Sequence, residues 1–196
     1  MTSRFFSRLL MGTLMMAAAA FSAPLYATTC TINTGSAGVA FGNYDPVSAV
    51  PATSNGTISV TCTPNCSLFF IFICIGGYNG VNASLTLSPG NSGSYLSRSL
   101  KFGADALAYN LYMTPDYTTT VFGDGTASTG YVTYCFTGAN VASCSGATYT
   151  GSPASGGGGN NGTAQSQGVP IYGKILSNQD AAVGSYTDTI TATLSF

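Results

Sequence analysis

Three residue types are missing from this chain of 196 residues: it has no histidine, no tryptophan and no glutamate. Without histidine or glutamate a Ser-His-Asp or Cys-His arrangement cannot be assembled, and the commonest general acids and bases are gone. The chain is read as a non-enzyme with no catalytic residue. Charge is scarce as well, at 6% of residues where soluble domains carry roughly 25%. So few lysines and arginines cannot form the clustered basic surface that phosphates require, which excludes a nucleic-acid partner. After the first turns of sequence no apolar run is long enough to cross a bilayer. Residues 69–75 are apolar throughout but far too short.

What is present is 45% hydrophobic residues, 25 glycines and a large share of Ser, Thr and Asn. That hydrophobic content is too high for a disordered chain. It fits short strands joined by tight polar turns. The N-terminus has the plan of a secretory signal: Arg4 and Arg8, an apolar stretch over residues 9–20, then Pro24-Leu25-Tyr26-Ala27. Residues 1–27 are expected to be removed on export, leaving one domain over residues 28–196 with no membrane span. In that mature chain Arg98, Lys101 and Lys174 stand against six aspartates, three cations against six anions, for a net charge of −3. Such a charge steers no partner strongly.

All six cysteines follow the signal: Cys30, Cys62, Cys66, Cys74, Cys135 and Cys144. An even number in an exported chain reads as disulfides. A thiolate metal site is the alternative, but Cys62 and Cys66 lack a second closely spaced pair to complete it, so neither a metal nor a cofactor is expected. If residues 66–74 form one extended strand, Cys66 and Cys74 lie about 26 Å apart at ~3.3 Å per residue. They then cannot bond to each other, since a disulfide needs Cα atoms within about 7 Å; only a fold-back of the segment would allow it. Cys135 and Cys144 enclose a short polar loop and can close it.

Apolar and polar residues alternate in several segments. Ile58, Val60 and Cys62 share one face of residues 57–63. At the C-terminus Tyr186, Asp188, Ile190, Ala192, Leu194 and Phe196 fall on one face, with four threonines and Ser195 among the residues of the other. This is the signature of antiparallel strands with one side in a core. Residues 68–75 are apolar on both faces, as for a strand covered on both sides or one in need of a partner. Left exposed during folding, such a segment aggregates. Residues 107–113, 130–136 and 169–176 add further strands, turns such as Asn55-Gly56 and Gly123-Asp124-Gly125 separate them, and residues 151–168 form a low-complexity loop. The total of about seven short strands predicts an all-β, immunoglobulin-like antiparallel sandwich.

Isolated charged residues offer little chemistry. Asp45, Asp116 and Asp124 lie in turn contexts, where a carboxylate accepts nearby backbone N–H groups. Asp188 is unusual in facing the apolar side of the last strand, where a strand end or a buried hydrogen bond would accommodate it. Arg98 and Lys101 read as solubilising surface cations, with a contact to a partner as the sharper alternative.

Taken in order, four blocks of the sequence are familiar: Cys30 with Phe41-Gly42-Asn43-Tyr44-Asp45-Pro46; Ile58-Ser59-Val60-Thr61-Cys62; Arg98-Ser99-Leu100 leading to Leu107-Ala108-Tyr109-Asn110-Leu111-Tyr112 and Val121-Phe122-Gly123-Asp124-Gly125; and Val169-Pro170-Ile171-Tyr172-Gly173-Lys174-Ile175 with Gln179 and Gly184-Ser185-Tyr186-Thr187-Asp188. The chain resembles the spore coat protein U domain family, which includes subunits of archaic chaperone–usher pili. The resemblance implies a sandwich lacking one strand, which a periplasmic chaperone lends and a neighbouring subunit replaces at the outer-membrane usher. It implies that Leu68, Phe70 and Phe72 of the doubly apolar run and Ile190, Leu194 and Phe196 of the last strand accept that strand. It also implies a Cys30–Cys62 disulfide. The expected role is a structural subunit of a surface fibre, exported through the periplasm and acting in adhesion or biofilm formation. With only Thr28 and Thr29 between the expected cleavage point and Cys30, this subunit is predicted not to complete a neighbour, as suits a tip-proximal or minor position. The alternative is a self-complete spore-coat or cell-surface protein of the same fold.

Overall fold

In the computed structural model, residues 28–33, 38–66, 69–70, 73–74, 76–138, 141, 145–151 and 162–196 are described. The expected signal segment, Leu68, Phe72 and Cys144 lie outside them.

Among the described residues the regular structure is almost entirely strand. The first sheet contains β1 (Thr29–Asn33), β2 (Ala52–Thr63), β6 (Ser99–Phe102), β7 (Asp105–Tyr112) and β10 (Gln165–Ile175), in the order β1-β2-β10-β7-β6. The second contains β5 (Val81–Leu87), β8 (Val132–Phe136), β9 (Tyr149–Gly151) and β11 (Ala192–Ser195), in the order β11-β5-β8-β9. All these pairings are antiparallel except β8 with β9. The two sheets face each other as a sandwich. Ile58, Val60, Val169, Ile171 and Leu111 come from one inner face, and Val81, Leu85, Leu87, Val132 and Tyr134 from the other; all are buried in one core.

Alternation builds this core. Along β2 the buried residues Ile58, Val60 and Cys62 alternate with threonines and Ser59, and β10 answers with Val169, Ile171 and Ile175. One residue of slip would turn every one of these side chains outward, so the long β2–β10 register is fixed by burial. β10 starts at Gln165, inside the stretch expected to be loop, because residues 165–168 continue the ladder onto Cys62, Thr61, Val60 and Ser59. Pro170 has no N–H to donate, yet it stands within this strand. It lies in the half that β2 alone pairs, before β7 joins at Tyr172, where a missing donor costs least.

The run over residues 68–75 departs from expectation. It is not one extended strand between two layers: β3 (Phe69–Phe70) folds back on β4 (Ile73–Cys74), pairing Phe69 with Cys74 and Phe70 with Ile73 in a two-stranded sheet of its own. That fold-back brings Cys66 and Cys74 together in a disulfide, with Cα atoms 5.6 Å apart. The distance argument against the pair held only for an extended chain. Cys30 and Cys62, which face each other across β1 and β2, form a second disulfide, and Cys135 is also disulfide-bonded.

Candidate functional site: an apolar groove beside the last strand

The C-terminal segment crosses between the two sheets. Thr187 exchanges backbone hydrogen bonds with Lys101 of β6, at 2.8 and 3.0 Å, and five residues later the chain has joined β5 as β11. The alternation read from the sequence persists through the crossing: residues 186, 188, 190, 192 and 194 are half-buried, and residues 187, 189, 191, 193 and 195 are exposed. Among the described residues β11 ends its sheet, with β5 as its hydrogen-bonded neighbour. On the opposite side, the segment at residues 38–41 lies against β10. Ser54 Oγ donates to Ala40 O at 2.7 Å, and any side chain at Gly173 would collide with Val39 and Phe41.

Between these segments the sandwich is open. A groove of about 460 Å³ is lined by Ile32, Val39 and Phe41 on one side, Ile190 and Ala192 on the other, and core residues such as Ile58 at its floor. It runs into a second cavity of about 740 Å³ beneath Tyr44, Pro46 and Tyr186. Val39, Phe41, Leu100 and Asp188 line both. Phe41 sets its ring edge-on to Tyr109, with centroids 6.0 Å apart.

Asp188 is the only acidic residue of that shared wall, and it is held rigidly. Its Oδ1 accepts the backbone N–H groups of Asn91 and Thr189, each at 2.8 Å, and its Oδ2 accepts the Tyr109 hydroxyl at 2.7 Å. Gly90, at φ +73, lets the backbone approach so closely that a side chain there would strike the carboxylate. Burial first, and then the bond to Asp188, push the Tyr109 hydroxyl far above its ordinary value of 10.0. The hydroxyl therefore serves as a permanent donor.

Behind this wall lies Arg98, and here the structure corrects the expectation of a surface cation. Its relative exposure is 0%. Nη1 donates to Asn110 Oδ1 at 2.9 Å, Nη2 donates to the carbonyls of Ser88 and Phe122, each at 2.8 Å, and the guanidinium stacks 5.4 Å from the centre of the Tyr95 ring. Desolvation lowers its pKa, opposed by Tyr109, Tyr95 and Asp188. The planar fork reaches three acceptors at once, which is why arginine can be buried where lysine cannot easily follow. Nothing about a lone Arg in a polar stretch of sequence announces those acceptors.

Two motif residues close the end of the sandwich. Gln179 acts as a one-residue strand: its Oε1 accepts the Ala108 N–H at 2.6 Å, and its Nε2 donates to the carbonyls of Ala108 and Leu176, each at 2.9 Å. Tyr44 accepts the Gln179 N–H at 2.8 Å and donates to Leu176 O at 3.1 Å. The turn aspartates behave as their contexts suggest. Asp45, Asp116 and Asp124 each accept the N–H two residues on, at 3.0, 3.1 and 2.9 Å.

Of the residues expected to accept a strand, Ile190 lines the groove and Leu194 is half-buried against the core on the same face. Phe196 follows β11 and is 61% exposed. Phe70 lies in the separate hairpin, so its strand belongs to neither sheet that walls the groove. The sequence reading missed Ile32, Val39, Phe41 and Leu100 as groove residues. The alternation of Val39 and Phe41 ahead of Gly42 was the signal available for two of them.

Comparison with known proteins gives three findings. The model of the Spore Coat Protein U domain matches residues 16–193. Among solved structures, the chain is similar to one in the CsuC–CsuE chaperone–tip adhesion subunit pre-assembly complex from archaic chaperone–usher Csu pili of Acinetobacter baumannii, at 16% identity and a TM-score of 0.44 over 86% of this chain and 40% of that one. It is also similar to a chain of a chaperone–tip adhesin complex in CFA/I fimbriae biogenesis, at 13% identity and a TM-score of 0.34 over 85% of this chain and 42% of that one. The chain thus spans about two fifths of each of these two chains. No curated protein matches it significantly.

Proposed function

Because this chain belongs to the spore coat protein U domain family, we propose that it is a structural subunit of a surface fibre whose sandwich accepts a β-strand from another chain. The observation that carries this reading is the apolar groove of about 460 Å³ beside β11, walled by both sheets and open at a strand edge. An extended segment laid there gains main-chain hydrogen bonds from the free edge of β11, and its alternate side chains fill the gap between the sheets. Each apolar side chain buried in this way contributes about 1.5–3 kcal/mol. Three or four of them outweigh the cost of ordering the segment, which is several kcal/mol.

The subunit is exported through the periplasm, where a chaperone supplies the strand, and passes an outer-membrane usher that exchanges it for a segment of the neighbouring subunit. The donor-accepting face consists of Ile190, Leu194 and Phe196 together with Ile32, Val39 and Phe41. The expected contribution of Leu68, Phe70 and Phe72 is a separate proposal, decided by peptide-binding and unfolding tests of variants at those positions. The subunit is tip-proximal or minor and serves adhesion or biofilm formation without turning over a substrate. The test is expression of the full chain in a periplasm with and without its candidate chaperone, followed by thermal unfolding. Recovery only with the chaperone is expected. A soluble monomer that melts cooperatively on its own would overturn strand acceptance and favour a self-complete coat or surface domain. Loss of surface fibres or attachment on deleting the gene tests the adhesive role separately.

A further inference from the structure

The groove is apolar along most of its length, but it is not uniformly so. Along the C-terminal segment Asp188, Thr189, Ile190 and Ala192 line the groove; of these Asp188, Ile190 and Ala192 are half-buried on one face, with Leu194 next on that face, while Thr189 is exposed. The half-buried residues are spaced two apart, about 6.6 Å in an extended chain. A strand laid beside this segment therefore meets one carboxylate and then a run of apolar side chains. From this order we infer that the incoming strand carries a hydrogen-bond-donating side chain (Lys, Thr or Asn) at the inward position facing Asp188, and apolar residues at its next inward positions. The inference rests on the strand-accepting reading of the groove and adds to it what sets the register.

The argument is one of satisfied valences. A carboxylate presents about four lone-pair sites. Asn91 N–H and Thr189 N–H occupy Oδ1, and the Tyr109 hydroxyl occupies one site of Oδ2. Asp188 forms no ion pair with Arg98, whose Nη1 and Nη2 bond instead to Asn110, Ser88 and Phe122 while its buried Nε has no hydrogen-bond partner. Asp188 is half-buried and lines the groove, with Gly90 packed against its Oδ2, so an open groove gives water access to the carboxylate from the groove side. Once a strand covers the wall, that water is expelled, and an apolar side chain would leave a charged oxygen desolvated on its open side. A donor at that position replaces the water, and its bond to a charged acceptor is stronger than one between neutral groups. Shifted by one pair of residues, the same strand would place its donor against Ile190 and an apolar residue against Asp188, so both mismatches oppose the slip. Charge and pattern together thus select one register.

The experiment uses labelled nine-residue peptides in which outward threonines alternate with inward valines, long enough at ~3.3 Å per residue to pass both Asp188 and Leu194. Each inward valine is replaced in turn by Lys, Thr, Leu or Asp, and binding is read by fluorescence anisotropy on the full chain freed from its chaperone in denaturant and refolded in the presence of each peptide. At one inward position Lys and Thr should bind about tenfold or more tightly than Leu, and Asp more weakly than any. At the other inward positions Leu should win. On the Asp188→Leu chain the preference at the special position should reverse. If the peptides bind but Leu is preferred at every inward position, the register inference is wrong while strand acceptance stands. If none binds, both fall. Because the discriminating comparison is made by changing the peptide against the unaltered chain, it holds even if the Asp188→Leu chain does not fold.

Discussion

Replacing Arg98 by Met keeps a flexible stem of similar length and removes every donor. The carbonyls of Ser88 and Phe122, each bonded to Nη2 at 2.8 Å, then lose this donor inside the protein. Asn110 Oδ1 retains the Leu111 N–H at 2.9 Å. An unsatisfied buried carbonyl costs about 1–3 kcal/mol, so the two together cost about 2–6 kcal/mol. Against this, the variant no longer has to take a cation out of water, a burden visible in the lowered pKa of Arg98, for which burial is the leading cause. The expected net loss is about 2–4 kcal/mol. For a domain of this size that corresponds to a fall in Tm of roughly 6–12 °C. The assay is urea and thermal unfolding of the chain prepared identically in both forms, with an unchanged urea m-value indicating that the same surface is exposed. Arg98→Lys, which keeps the charge but not the fork, should fall between the two. An Arg98→Met chain as stable as the parent would refute the reasoning, because it would mean that burying the guanidinium costs as much as its bonds return.

Tyr109→Phe removes the 2.7 Å bond to Asp188 while keeping the ring against Phe41, and should lower stability by about 2 kcal/mol in urea unfolding. Asp116 is held at a pKa of about 2, below the usual 3.8, first by the Thr114 hydroxyl and then by the Thr118 N–H and Thr119. Its contribution to loop order is therefore full above the unfolded value and is lost as pH falls through about 2. The Thr118 amide resonance should titrate with that midpoint, and a midpoint near 4 would contradict the geometry. Replacing both Cys30 and Cys62 by Ser opens a crosslink spanning 32 residues and should cost about 3–4 kcal/mol. Opening Cys66–Cys74, which spans 8, should cost about 2–3 kcal/mol, and a reversed order in equilibrium unfolding would show that loop length does not govern these bonds.

Much of the sandwich was legible because period two survives any tertiary arrangement. The alternation from Tyr186 to Leu194 was read without error even though the segment changes sheets midway, since burial alternates whichever neighbour supplies the hydrogen bonds. Residues 81–87 carry the same pattern in Val81, Ala83, Leu85 and Leu87 and went unread, because a short segment lacking strong β-branched character gives a weak signal. The hairpin at residues 69–74 was beyond reach for a different reason. The sequence over residues 69–74 contains no Gly, Pro, Asn or Asp, so nothing in the local chemistry marks a reversal. Arg98 and the groove fail to appear in the sequence because both are assembled from distant segments. Ile32, Val39, Leu100, Tyr109 and Ile190 come together only after the sheets have packed.

The position of the Cys30–Cys62 bond has a mechanical consequence. A pull on the chain entering at residue 28 meets one ladder pair, Thr29 with Thr63, before it reaches the crosslink. Without the bond, β1 would unzip from its end, one pair after another, under a small force. With it, tension bypasses the rest of β1 and enters β2 at its C-terminal end. From there it acts along the strand against the whole β2–β10 ladder, which runs in unbroken register from Cys62 with Gln165 to Ala52 with Ile175. Those pairs must slide together in shear. The covalent staple thus turns one edge of the first sheet into a coupling that loads its longest strand pair.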